Sequence, residues 1–477
     1  MRFKNPTAFV AVLFLLGTGN LLSAADEGGK SIAELAKQIR RKIDTGKEPE
    51  TLPLIKEIAA IGGEEAAKAI FEAGLRLTVP AVYKEVTSIL AARTDDLSLK
   101  FYEAEARGTQ EVRQIFLADL LAEMKSPRAG EILGILAENK DTGVRRATVA
   151  ALGKLRTKEC VEPLLKLLAG FEAAKDRGQI YQEARDAIFE VTGQDFDAIA
   201  DWQKWWDISK ATFVPGKKPE GPTQTRKPTR DTAPEFAGKK IFGKNVVFVI
   251  DTSGTMRYVM KDDIPGLSMG DGTDGSGIVR EADEQITPEN SRLAKFWTRI
   301  EMAKRALAKA LDAFDARARI NVLAFNERVK KLEKALIQCN PGNKKKALTW
   351  VRKMQYVQDG KTHTQAALED AFATDRSTTE MYFLSDGIPS KDGVTPDPTG
   401  PILDKVESLN RFRKIKIHTF GYDPMSISEG REHPQLMEAN NFLKKLSQRT
   451  GGTFTLLKVT DEKPPKDFRT QEPFAQR

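Results

Sequence analysis

Cysteine and histidine are scarce, two and three residues in a chain of 477. Cys160 and Cys339 stand among helix-like residues in different parts of the chain, so both read as structural thiols rather than a disulfide. No His-rich zinc motif, no P-loop and no nucleophile elbow is present, which removes the commonest signatures of hydrolases and nucleotide enzymes. Long apolar runs are nearly absent as well. Only Ala8 to Leu22 comes close, and it is short for a span of about 20 residues and interrupted by Gly17, Gly19 and Asn20. Arg2 and Lys4 precede it, and Ser23-Ala24-Ala25 puts small residues before Asp26. That layout predicts a secretory signal peptide over residues 1–25 and an exported protein, periplasmic, extracellular or at the cell surface, with no span in the mature chain. An uncleaved anchor is the alternative. No Cys follows the run, so a lipid-modified terminus is not indicated.

Excess charge of one sign is confined to one place. The net charge is +8, yet Thr212 to Asn245 alone carries eight Lys/Arg against three Asp/Glu. The folded parts are therefore close to neutral. The excess sits in a Pro-rich stretch without interleaved aromatics, so it reads as a solvated tether and not as a nucleic-acid surface.

What is present divides the chain. Residues 26–210 show apolar positions at three- and four-residue spacing and almost no strand-like alternation, the mark of packed helices. Two stretches repeat at an offset of 32: Val112, Arg113, Leu117, Ala118 and Leu120 correspond to Val144, Arg145, Val149, Ala150 and Leu152. Each unit is a helix, a turn and a helix that cannot bury its apolar face alone, so stacked copies must share a core. Asp141 to Leu168 resembles a HEAT repeat. The expectation is an all-α, HEAT-like solenoid of about four helix pairs, with a plain bundle as the alternative. Trp202, Trp205 and Trp206 share one helical face and are expected to cap its end. Residues 211–243, with Pro215, Pro219, Pro222, Pro228 and Pro234, read as an extended linker.

Residues 244–460 alternate strand and helix. Asn245 to Ile250 is a continuous apolar run, as a strand buried on both faces requires. Arg292 to Phe314 reads as one long amphipathic helix, and further strands are expected at Ile320–Phe325, Met381–Leu384, Ile415–Phe420 and Thr453–Leu457. Such alternation predicts an α/β, doubly wound, mostly parallel sheet, with ligands beyond the carboxyl ends of the strands. Residues 461–477 are a tail.

The chemistry gathers at those ends. The first strand runs into Asp251-Thr252-Ser253-Gly254-Thr255, Thr362 sits in a loop before a helix, and Met381–Leu384 leads to Asp386. Two carboxylates and three hydroxyls make a hard, all-oxygen set with few charges, which suits Mg²⁺, with Mn²⁺ or Ca²⁺ also possible. The order of these residues, with RIEMAKRAL at 299–307, VLAFN at 322–326, GKTHTQAAL at 360–368 and FLSDGIP at 383–389 around them, resembles a von Willebrand factor type A domain. The resemblance implies that Asp251, Ser253, Thr255, Thr362 and Asp386 form a metal-ion-dependent adhesion site, in which a Glu or Asp of a partner protein completes the metal's coordination. Thr255 stands where the family usually has Ser, and its extra methyl stiffens χ1.

The expected function is therefore a non-enzymatic adhesion or assembly factor. The alternatives are a structural scaffold with a vestigial site and, on the Asp-x-Ser-x-Thr string, a phosphatase resembling the haloacid dehalogenases. Those enzymes need an Asp at the second position as general acid, and here it is Ser253. His363 reads as a surface residue and His418 as core. Residues 258–291 form an acidic, Gly-rich insertion beside the site, without the spacing of a calcium loop.

Overall fold

The computed structural model describes residues 30–215, 233–260, 267–269, 278–280, 288–423, 434–459 and Pro464. The expected signal peptide at 1–25, most of the Pro-rich stretch, the acidic residues Asp262, Asp263, Asp271, Asp274 and Asp283, and nearly all of the tail lie outside the described residues.

The N-terminal region is helical throughout. Its helices are α1 (Ile32–Asp44), α2 (Leu52–Ile61), α3 (Gly63–Arg76), α4 (Pro80–Ala91), α5 (Asp96–Ala106), α6 (Glu111–Leu121), α7 (Pro127–Ala137), α8 (Thr142–Leu155), α9 (Val161–Ala173), α10 (Gln179–Thr192) and α11 (Ile199–Ser209). Odd-numbered helices pack on the next odd one and even on even, from α1 to α11 and from α2 to α10. Two stacked layers around one apolar core are the geometry of a helical solenoid. It runs to five pairs plus α11, more than the repeat alone suggested. The repeated units fall on α6/α7 and α8/α9, but Val112 is exposed where Val144 is buried. Asp141 caps α8, its carboxylate accepting the Val144 amide at 2.8 Å. Trp202 and Trp206 are buried where α11 meets α9; the Trp202 indole donates to the Phe196 carbonyl at 3.1 Å.

The C-terminal region contains β1 (Glu235–Phe236), β2 (Lys239–Lys240), β3 (Asn245–Asp251), β4 (Leu267–Met269), β5 (Ile278–Arg280), α12 (Pro288–Phe296), α13 (Arg299–Ala313), β6 (Arg319–Phe325), β7 (Val329–Lys331), β8 (Ile337–Gln338), α14 (Pro341–Arg352), α15 (Thr364–Thr374), β9 (Glu380–Leu384), α16 (Thr399–Asn410), β10 (Lys416–Tyr422), α17 (Pro434–Arg449) and β11 (Phe454–Leu457). The main sheet has the order β11-β10-β9-β3-β6-β7, with β8 also on β6. Strands β11 to β6 are parallel; β7 and β8 are antiparallel additions at one edge. The chain goes from β3 outward to β6, then returns past β3 to β9. This reversal opens a crevice beyond the carboxyl ends of β3 and β9.

Both faces of β3 are covered. Val246, Phe248 and Ile250 join the core under α13 and α14, while Val247 and Val249 join the core under α15, α16 and α17. A strand enclosed this way needs no polar alternation, which accounts for the unbroken apolar run in the sequence.

Two expectations are corrected. The long helix read from Arg292 is two: α12 starts at Pro288, and the chain breaks at Trp297–Thr298. There Thr298 bridges Val259, and the Met260 amide donates to the Trp297 carbonyl at 2.9 Å. The apolar period continues across the break, so only this tertiary contact reveals it. The residues read as the end of the linker also fold. β1 and β2 pair antiparallel, and Phe236 is buried against Phe248, Tyr382 and Phe420.

The solenoid and the sheet domain pack together at the amino ends of the strands. Lys244, just before β3, pairs with Asp176 at 3.1 Å, and Lys416, opening β10, pairs with Glu183 at 3.1 Å. Lys414 pairs with Asp119 at 2.7 Å, and Phe412 lies edge-on to Tyr83. The carboxyl edge of the sheet faces away from these contacts.

Candidate metal centre

Strand β3 delivers Asp251 to the carboxyl edge with its side chain fully enclosed. One carboxylate oxygen accepts the Ser253 amide at 2.7 Å and the other the Ser385 hydroxyl at 2.5 Å. The backbone then turns sharply. The Gly254 amide donates to the Gly360 carbonyl at 3.0 Å, and a Cβ on Gly254 would lie 2.2 Å from the Gln358 carbonyl oxygen. Only glycine fits there. This turn brings the Ser253 and Thr255 hydroxyls within 3.2 Å of each other and places the Thr255 hydroxyl 2.9 Å from Asp386 Oδ1.

Asp386 follows β9, the strand beside β3. Thr362 comes from the loop before α15, held by the Ser390 amide, which donates to the Thr362 carbonyl at 3.0 Å. It packs on Gly387 so closely that a Cβ there would sit 2.7 Å from the Thr362 hydroxyl. The five residues read from the sequence therefore lie on three neighbouring loops, with Asp251, Ser253, Thr362 and Asp386 buried and Thr255 half-buried. His363 and His418 stand apart from the cluster. The His363 ring bonds the Lys391 carbonyl; His418 is buried on β10 beside Thr453, and burial together with Lys239, Lys416 and Arg146 depresses its pKa to about 3. Cys160 and Cys339 are both free and buried.

Burial, with Asp386 close by, pushes the Asp251 pKa up to about 7. Two enclosed carboxylates repel one another, and a cation between them relieves that repulsion. The donor set fits a hard divalent ion: every donor is oxygen, and hydroxyls now bonded to each other can turn to face a cation. With only two carboxylates, the cluster is poorer in charge than a metal site built from acids and histidines, and among the described residues no group of three or more His, Cys, Asp or Glu is poised to hold a metal.

Sequence reasoning missed two residues at the centre. Arg299, the first residue of α13, is 3% exposed, and its guanidinium donates to Asp386 Oδ2 at 2.6 Å. It lies over the Tyr258 and Tyr422 rings, and the Tyr422 hydroxyl donates to its carbonyl at 2.7 Å. In a periodicity reading it falls inside the helix expected over Arg292 to Phe314, where a charged side chain counts as solvent-facing, so nothing in the pattern marks it as an internal counter-ion. Ser385, which holds Asp251, was likewise passed over as part of a strand end.

A family model described as von Willebrand factor type A domain matches residues 296–456. Thr362 and Asp386 fall inside that span; Asp251, Ser253 and Thr255 precede it, at the end of the strand that pairs with both β6 and β9 and in the turn that follows. The chain is similar to a solved structure titled von Willebrand factor type A from Catenulispora acidiphila, at 17% identity over 46% of this chain with a TM-score of 0.29. The match spans 40% of that protein's length. It is also similar to the conserved hypothetical protein BatB from Bacteroides thetaiotaomicron, at 13% identity over 46% of this chain and 92% of that one, TM-score 0.29. A third is an aerotolerance-related membrane protein from Bacteroides fragilis, at 15% identity over the same shares, TM-score 0.27. Residues 296–456, completed in the same sheet by β3, thus make this chain one that carries a von Willebrand factor type A domain behind a helical solenoid.

Proposed function

We propose that the protein is an exported interaction or assembly factor that captures an acidic residue of a partner protein through a divalent cation, Mg²⁺ by preference. Asp251, Ser253, Thr255, Thr362 and Asp386 would hold that cation. When bound, it supplies a Lewis-acidic position for the partner's Asp or Glu. The observation that carries this reading is the oxygen cluster itself: two buried carboxylates and three hydroxyls on three loops at the strand-order reversal. Asp251 is fixed by Ser253 and Ser385, so its position does not depend on the cation. Ser253 and Thr255 offer uncharged oxygens, which leave a dication under-neutralised and attractive to a further carboxylate. The role is non-catalytic, because the place of a general acid in the phosphatase-like string is taken by Ser253.

The solenoid supports this role. It packs at the amino edge of the sheet, on the side away from the cluster, and we read it as HEAT-like and as a second binding surface. Export rests on the layout of residues 1–25. No helix among the described residues is long and apolar enough to cross a membrane. A pull-down from an extracellular or periplasmic extract tests the function: Mg²⁺ should retain a partner that EDTA and Asp251→Ala both release. A partner retained equally in all three conditions would refute metal-mediated capture.

One observation favours a second reading. Arg299 is a built-in cation on Asp386, so the domain could stand without a metal and act as a scaffold. Metal titration of the purified chain separates the two, since a scaffold of that kind shows no saturable divalent binding.

A further inference from the structure

Away from the metal edge, the solenoid and the sheet domain together line an open cavity of ≈ 520 Å³. Its lining combines apolar Pro80, Val149, Ala150 and Ala187 with many charged side chains. Most of those charges are matched. Lys414 holds Asp119, Lys416 holds Glu183, and Arg449 holds Asp404 and Glu407.

Arg146 of α8 is poorly matched. It lines the cavity, is 4% exposed, and its Nε has no hydrogen-bond partner among the described residues. Its ion pair to Glu183 is long at 3.9 Å, and Glu183 is already engaged by Lys416. A buried N–H left without an acceptor is costly, and such groups persist where something completes them. Arg411, at another point of the lining, also has two buried N–H positions without acceptors. It rests on the Tyr83 and Phe412 rings and donates to the Leu75 carbonyl, so it is partly compensated. Arg146 has no such ring beneath it among the described residues.

We propose that this cavity binds a small monocarboxylate with an apolar body, its head group on Arg146 and its body along Val149, Ala150 and Ala187. A guanidinium matches a carboxylate with two parallel N–H donors. A single charge is specified by the surroundings: six basic side chains in the lining face five acidic ones, an excess of one positive charge that one carboxylate neutralises and a dianion overshoots. The volume lies in the range of ordinary small-ligand sites. Because both domains contribute walls, the ligand would also tie the solenoid to the sheet domain.

Isothermal titration of the purified full chain tests this, with octanoate as the probe and 1-octanol and inorganic phosphate as controls. Octanoate should bind saturably at one site, at least tenfold tighter than either control. Arg146→Met keeps the volume and removes the N–H donors. Ala150→Trp fills the cavity from an exposed position on α8, outside the solenoid core, and leaves every charge in place. Each should weaken octanoate binding tenfold or more, with circular dichroism and gel filtration unchanged for Ala150→Trp. Absence of saturable octanoate binding to the unaltered chain overturns the proposal. So does binding that survives Ala150→Trp, which would put the ligand elsewhere, or binding that survives Arg146→Met. Octanol bound as tightly as octanoate would refute the head-group assignment, and phosphate bound as tightly would refute the apolar body.

Discussion

Removing the Arg299 guanidinium should couple the stability of the C-terminal domain to metal. The side chains of Arg299 and Asp386 are 3% and 0% exposed and 2.6 Å apart, so solvent screens this pair very little. Deleting one partner of a buried ion pair costs about 3–5 kcal/mol, because the other charge is left uncompensated. In Arg299→Met, Asp386 would be left near Asp251 without its counter-ion. At roughly 2–4 °C per kcal/mol for a domain of this size, the variant in EDTA should melt roughly 6–20 °C below the unaltered protein. A dication at the cluster would replace the lost charge. Saturating Mg²⁺ should therefore raise the variant's melting temperature by more than it raises that of the unaltered protein, and the variant should bind Mg²⁺ more tightly. Differential scanning calorimetry with EDTA and with MgCl₂ measures both. Equal Mg²⁺ shifts in the two proteins would refute the reasoning, because they would mean that Arg299 and the cation do not act on the same carboxylate.

Three other outcomes are expected. His418 is buried and neutral, with its pKa lowered from 6.5 to about 3, so its contribution to stability is complete above pH 6.5 and is lost as the pH falls from there toward 3; His418→Gln should flatten that part of the stability profile, and an unchanged urea midpoint-against-pH curve would count against it. Trypsin should cut between Lys217 and Arg230, but the two halves should stay together through Lys414–Asp119, Lys416–Glu183 and Lys244–Asp176 and separate on gel filtration only in high salt or as Asp119→Ala/Glu183→Ala, whereas halves that part at once in low salt would show the docking to be weak. Replacing residues 261–287 with a short Gly-Ser link should leave the melting temperature nearly unchanged, since loop closure entropy varies only logarithmically with length, while partner or metal binding changes; unchanged binding of both would mark the insertion as passive.

Much of this was legible in the sequence because the signals were local. The apolar run of β3 followed by Asp251-Thr252-Ser253-Gly254-Thr255 marks both a two-face-buried strand and the loop at its end, and Asp386 after β9 repeats the arrangement. What escaped was set by contacts distant along the chain. The α12–α13 break depends on Val259 and Met260 reaching Thr298 and Trp297, some 40 residues away. The β1–β2 hairpin is anchored by one aromatic, Phe236, in a stretch whose Pro and Lys content reads as linker. Arg299 and Arg146 look like surface positions of amphipathic helices, and their burial comes from the packing of elements far apart in the chain. The docking of the solenoid on the amino edge of the sheet has no sequence signature, since Asp119, Asp176 and Glu183 look like ordinary solvated charges on helices.

The central claim is that the cluster at the carboxyl edge holds a divalent cation. Isothermal titration of Mg²⁺ and Mn²⁺ into the EDTA-treated chain tests it most directly, beside Asp251→Ala, which removes a carboxylate already positioned by Ser253 and Ser385. The account predicts one saturable site in the unaltered protein and none in the variant, with circular dichroism spectra that superimpose. Binding of equal strength in both, or in neither, would contradict it.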